Sequence, residues 1–258
     1  MSTITEHFTG SPTRRQLLQG MGLSLFGLPL LDRLLLPSAR GANAAAPRNG
    51  FPRMVHEYFV HRVRQANTRN VRAYRELASK AEAEEYVRHV REAIRECFGP
   101  EPARTDLNPR VTGVVERDAY TIEKIIFESR PDFPVTANLY IPKNVEFPRP
   151  GVVGTCGHTS NGKAGYQEFS QGLARLGYVC LTYDPIGQGE RLQYVNDELK
   201  SWVGVGVREH LYAGNQQFLA GEFLGMWRAW DGIRALDYLL TREEVDPRHV
   251  GVTGNSGG

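Results

Sequence analysis

Apolar positions change their period along this chain, and each change predicts a different kind of element. From Met54 to Phe98 there is no proline, and Tyr86, Val90, Ile94 and Phe98 recur every fourth residue, as on one helix face. This predicts a helical region stopped by Gly99-Pro100. The polar run Gln65–Asn70 predicts a break into two helices. Mixed charges on the remaining faces read as a solvated surface rather than a binding strip. After Pro109 the pattern shortens: Val111–Arg117, Tyr120–Glu128 and Val135–Ile141 are rich in Val, Ile, Thr and Tyr, which predicts antiparallel strands.

Two buried strands follow, Pro150–Cys156 and Tyr178–Tyr183, with a helix over Gln167–Leu176 between them. A less regular insertion, Gln188–Asn215, leads to a long helix on which Phe223, Trp227, Trp230, Ile233, Leu236 and Leu240 form one apolar stripe. That stripe predicts both tryptophans packed on a sheet. His249–Thr253 reads as a third buried strand. Strand, helix, strand, helix, strand predicts a mostly parallel α/β sheet.

Composition adds little to this picture, but its distribution does. The chain has 258 residues, 41% apolar, with a formal charge of +2. Residues 1–44 hold Arg14, Arg15, Arg33 and Arg40 against Glu6 and Asp32, leaving 27 of the 31 basic and 27 of the 29 acidic residues to the rest. A neutral body gives no electrostatic case for nucleic-acid or anionic-membrane partners. Thr13-Arg14-Arg15-Gln16-Leu17-Leu18, the apolar run Met21–Leu31 and the small residues Ala42–Ala46 follow the order of a secretory signal, and the paired arginines resemble the twin-arginine export type. The expectation is an exported protein, periplasmic or extracellular, that meets the twin-arginine machinery and begins near Ala45 when mature. Asp32-Arg33 interrupts the apolar run and argues against a stable membrane anchor. An amphipathic N-terminal helix is the alternative. Cys97, Cys156 and Cys180 lack metal-ligand spacing, and the last two sit in strand-like runs where a free thiol acts as a small core residue.

The sharpest chemistry lies in Gly254-Asn255-Ser256-Gly257-Gly258, which fits G-x-S-x-G directly after a strand. A serine there sits on a strained, sharp turn that lifts its oxygen out of the sheet. The amide of Gly257 would face a developing oxyanion. A second amide would come from the loop Gly157–Lys163, with His158 or Thr159 as donor. His158 reads more readily as a structural residue pinning the loop than as a general base.

Asp184-Pro185-Ile186-Gly187-Gln188-Gly189 after a strand resembles the D-x-x-G-x-G turn of α/β-hydrolases, and Arg234–Gly258 is similar to their helix-strand-elbow segment. The branch it resembles is that of the bacterial acetyl xylan esterases. The resemblance runs from about Val111 to the end of the chain, and the acetyl ester is implied by it alone. It implies an α/β-hydrolase-type mostly parallel sheet, N-terminal part only, with residues 1–46 as export signal, 47–110 as a helical region and 111–258 as an incomplete core. It further implies a secreted carbohydrate esterase that uses Ser256 and needs no metal or cofactor. The acid and histidine of its triad follow the serine in that family, so the expectation places them beyond Gly258, and residues 1–258 are expected to be inactive alone. The insertion with Trp202, His210 and Tyr212 lies where such folds build a substrate wall, although ordinary packing is the plainer reading of those rings. Three alternatives stand beside the esterase. Thr253–Gly258 also begins like the T-G-x-x-x-G turn of NAD(P)-dependent oxidoreductases, and a serine peptidase or a non-catalytic relative would share the hydrolase fold.

Overall fold

The computed structural model describes residues 52–258, so the expected export signal and the mature start near Ala45 lie outside the described residues. The chain divides into two compact units, one ending at Arg75 and one running from Glu76 to Gly258.

In the first unit, α1 (Met54–Arg75) is a single helix without buried residues. The break predicted at Gln65–Asn70 is absent. Gln, Asn and Thr each cost only some tenths of a kcal/mol in a helix, and neither Gly nor Pro is present to stop it. The interruption comes after Arg75, where Ser79 caps α2 (Lys80–Phe98). Its Oγ accepts from the Glu82 amide at 3.2 Å, and the Glu82 carboxylate accepts from the Ser79 amide at 3.3 Å. This reciprocal pair is a capping box.

The second unit is built on a six-stranded sheet of β1 (Arg110–Glu116), β2 (Tyr120–Arg130), β3 (Phe133–Pro142), β4 (Arg149–Thr155), β5 (Val179–Tyr183) and β6 (Val245–Gly254), in the order β1-β2-β3-β5-β4-β6. The first three strands form an antiparallel meander, and β3 pairs antiparallel with β5. Strands β4, β5 and β6 run parallel, as the alternating pattern predicts. Strand β6 begins four residues earlier than predicted, with a register irregularity between Pro150 and Gly151 of β4 where Asp246 and Val250 pair.

Side-chain alternation assigns the two faces. Val179, Leu181 and Tyr183 join Ile125, Phe127, Leu139 and Val153 beneath α5 (Leu224–Leu239), with Ala235, Tyr238 and Leu239 as its contribution. Cys180 joins Tyr120, Ile122 and Tyr140 beneath α3 (Gln167–Arg175), which supplies Ala174, Phe169 and Leu173. Every residue of β5 is buried, which explains its unbroken apolar run.

Two expectations need correction. The insertion after Gln188 ends in a real helix, α4 (Val207–Leu219), which hides in sequence because Gly214 and Asn215 interrupt its pattern. Of the stripe drawn on α5, Trp230 is buried and Leu236 packs on the core as expected, but the buried side also runs through Asp231, Arg234 and Tyr238, and Phe223 and Leu240 are exposed. Trp227 instead lies under the Arg130 guanidinium, 3.9 Å from its ring centroid, and against Phe133. All three cysteines are free. Cys97 is exposed, while burial pushes the Cys156 and Cys180 thiols up to about 12 and about 11. No described helix is long and apolar enough to cross a membrane.

Candidate active site

The chain reverses immediately after β6. The Gly258 amide donates to the Asn255 carbonyl at 2.9 Å, and Ser256 takes a φ of 56°. A residue with a side chain occupies this left-handed region at a cost of roughly 1–2 kcal/mol. Two glycines make the turn sterically accessible. A methyl group on Gly258 would fall 2.1 Å from the Thr155 carbonyl oxygen at the end of β4. One on Gly157 would fall 2.5 Å from the Asn255 carbonyl oxygen and 3.2 Å from Ser256 Cβ. The loop after β4 therefore lies directly against the serine.

Ser256, Gly257 and His158 come together at this turn. Ser256 is exposed, and its Oγ has no hydrogen-bond partner among the described residues. The amides of Gly257 and His158 are likewise unengaged, whereas the Thr159 amide donates to the Gly157 carbonyl at 2.8 Å. The His158 ring lies on Gly257, so close that a methyl there would meet its Cε1 at 2.3 Å.

Several residues whose bonding the sequence did not reveal hold this arrangement. The Gln188 side-chain amide, fully buried, donates to the Gly157 carbonyl at 2.7 Å and to the Thr159 carbonyl at 2.6 Å. It thus grips the peptide groups on both sides of His158. Tyr166 adds its hydroxyl as acceptor for the Gly157 amide at 2.8 Å. Asp184, also fully buried, accepts from the Lys163 amide and the Thr136 hydroxyl, both at 2.7 Å, and pairs with the Lys163 ammonium. Such a buried pair is costly to break from one side, by about 3–5 kcal/mol. The D-x-x-G-x-G turn and the loop 157–163 are therefore one hydrogen-bonded body. The motif could be read; its cross-loop bonding could not.

Charge near the serine is cationic or neutral. Arg228 of α5 donates from Nη2 to the Gly257 carbonyl at 2.9 Å, and its Nη1 lies 3.4 Å from His210 Nδ1. His210 of α4 bonds the Ile186 carbonyl through Nε2 at 2.7 Å and meets the His158 ring at a centroid distance of 5.1 Å. Burial, reinforced by Arg228, holds both imidazoles below their usual value; His210 is brought to about 4. The His–carboxylate pair on β6, His249 with Asp246 at 2.7 Å, sits seven residues back from Ser256 and belongs to another part of the surface. An apolar cavity of about 700 Å³, lined by Val153, Ile233, Leu236, Val250 and Val252 among others, reaches Arg228, Gly257 and Gly258.

No protein-family model matches the chain. Among curated proteins, a Bacillus subtilis (strain 168) protein provisionally named as a hydrolase, YtaP, is 24% identical over 180 residues, covering 65% of this chain and 56% of its own. Among solved structures, a Bacteroides fragilis NCTC 9343 protein, provisionally an acetyl xylan esterase, superposes with a TM-score of 0.60 at 18% identity over 70% of this chain and 49% of that one. The methylesterase BT1017 gives a TM-score of 0.54 at 23% identity, over 70% of this chain and 38% of its own. The chain thus spans about half the length of the relatives it matches. At these identities the likeness speaks for the fold, which agrees with the topology and the turn at Ser256: the chain has the α/β-hydrolase fold, and its structural neighbours are acetyl xylan esterases and related esterases of that type.

Proposed function

We propose that the protein is a serine ester hydrolase acting on acylated carbohydrate, with Ser256 as nucleophile. The observation that carries this reading is the conformation of Ser256: a non-glycine residue at φ 56° immediately after a parallel strand, with a glycine loop against its Cβ. Backbone strain at an exposed hydroxyl has no value for packing but suits a nucleophile that must meet a planar carbonyl.

In this reading Ser256 Oγ attacks the ester carbonyl and an imidazole base takes its proton, since an unassisted serine hydroxyl is a weak nucleophile. The amides of Gly257 and of His158, or else Thr159, receive the oxyanion. The unengaged state of the first two favours them, because a donor already bonded would need to break that contact first. The alcohol leaves, and water releases the acyl group. The carbohydrate ester is suggested by the acetyl xylan esterase neighbour, and export by the arginine-paired N-terminus.

A fluorophosphonate probe should label the full-length protein but not its Ser256→Ala variant, and only the former should release acetate from acetylated xylan. Equal labelling of both proteins would overturn the assignment of the nucleophile. Labelling without acetate release would overturn the substrate.

A further inference from the structure

We propose that Tyr194, Trp202 and Tyr212, on α4 and the turn before it, form a sugar-stacking subsite that takes a pyranose ring of a neutral oligosaccharide or polysaccharide. The three rings touch edge to face, with centroids 5.5 Å apart for Tyr194–Tyr212, 5.7 Å for Trp202–Tyr212 and 6.2 Å for Tyr194–Trp202. Ordinary packing would bury them. Instead Trp202 is 63% exposed and Tyr212 46%.

Their polar atoms point to a ligand with hydroxyl groups. Trp227 gives its indole N–H to Glu222 and Trp230 gives its own to the Ser129 carbonyl. Trp202 is the tryptophan whose N–H meets no acceptor among the described residues, and the Tyr212 hydroxyl is likewise unpartnered. A pyranose offers a flat C–H face to an aromatic ring and hydroxyls at its edge, so exposed rings with free donors match both halves of it. The exposed neighbours include the amides Gln193, Asn196 and Gln216 and four charged residues, Asp197, Glu198, Lys200 and Arg208, two of each sign, with Lys200 and Glu198 paired at 2.8 Å. A polar rim whose charges balance in this way suits an uncharged sugar.

The cluster is also preorganised. The Tyr194 hydroxyl donates to Gln216 of α4 at 2.8 Å, and the Trp202 amide donates to the Tyr194 carbonyl at 2.9 Å. The intervening turn is closed by a Val195–Ser201 bridge and by Asn196 Oδ1, which accepts from the Glu198 and Lys200 amides. Rings fixed before binding lose little freedom on contact. On α4, Tyr212 and His210 are two residues apart and so face opposite sides of the helix: His210 turns inward to His158, and Tyr212 outward to the aromatic cluster. A sugar stacked on these rings is therefore held on the outer face of α4 and its preceding turn. That this sugar belongs to the ester substrate rests on the esterase reading; that the rings bind sugar does not.

The test is titration of the full-length Ser256→Ala protein with xylohexaose and, separately, cellohexaose, read by tryptophan fluorescence and calorimetry. Saturable binding of either is expected, weakened at least about tenfold by adding Trp202→Ala or Tyr212→Ala. Adding Trp202→Phe instead keeps an aromatic ring in the cluster and should weaken binding less than Trp202→Ala; it also serves where the alanine variant fails to fold. Undiminished affinity in both Trp202 variants, or no binding of either sugar, overturns the proposal. Parallel assay of the parent protein on aryl acetate separates the two claims. Sugar binding without any hydrolysis would remove the esterase reading and leave the subsite, and hydrolysis without sugar binding would do the reverse.

Discussion

Arg228 Nη2 and the Gly257 carbonyl oxygen lie 2.9 Å apart, so α5 grips the peptide that follows the serine as well as covering the sheet. No carboxylate lies within ion-pair distance of Arg228 among the described residues, and burial lowers the stability of its charge. Its hydrogen bond to this carbonyl is therefore one of few that compensate its desolvation. Arg228→Met should lower kcat on aryl acetate by about 10- to 100-fold with little change in KM, because displacement at the reacting centre acts on the transition state. Unchanged kcat would show that the contact does not position the turn.

Gln188 positions the other side of the site. Gln188→Met removes both donors from the Gly157 and Thr159 carbonyls and should destabilise the protein by about 2–4 kcal/mol, since two buried acceptors lose their partners. Gln188→Glu should be worse, because a carboxylate would then face two carbonyl oxygens. Urea unfolding of the three proteins checks the order, and a glutamate variant as stable as the parent would contradict it.

His210 makes the fold sensitive to acid. Its pKa falls from the ordinary 6.5 to about 4, chiefly through burial, with Arg228 and His158 reinforcing the shift and the Ile186 carbonyl and Glu209 opposing it. The unfolded chain therefore takes up a proton that the folded one refuses. The penalty is absent above about pH 6.5 and grows as the pH falls toward 4, to about 3 kcal/mol. His210→Gln should flatten the stability profile in that window, as measured by unfolding at pH 7 and pH 4.5. Equal slopes in both proteins would place the acid sensitivity elsewhere.

The thiols give a direct check on burial. Native protein should react with a thiol reagent at Cys97 alone, and all three cysteines should react after denaturation. Burial keeps Cys156 and Cys180 protonated as well as out of reach. Rapid modification of three thiols in native protein would contradict the packing of β4 and β5.

What could be read from sequence was what short-range chemistry decides. The unbroken apolar runs of β4 and β5 and the small residues around Ser256 announced the sheet and its turn, because buried parallel strands and tight bends restrict residue type locally. The capping box at Ser79–Glu82 is equally local and marks the true break, whereas the polarity of Gln65–Asn70 alone does not stop a helix. The roles of Gln188 and Arg228 were silent for another reason. Each acts through a long side chain on a backbone group distant in sequence, as Gln188 does on Gly157 and Thr159. On α5, apolar residues occur on more than one face, so the partly exposed Phe223 and Trp227 resemble, in sequence, the side chains that meet the sheet.

The close approach at Gly157 and Gly258 bears on how such a protein can change over generations. A single added carbon at either position would collide with backbone, and backbone cannot step aside without moving a central strand. Diversity is thereby pushed outward: the exposed aromatic cluster on α4 and its preceding turn can be rewritten for new ligands, while the bend at Ser256 admits almost no alternatives. A randomised library would show this as glycine alone at positions 157 and 258, and a broad alphabet at 202 and 212.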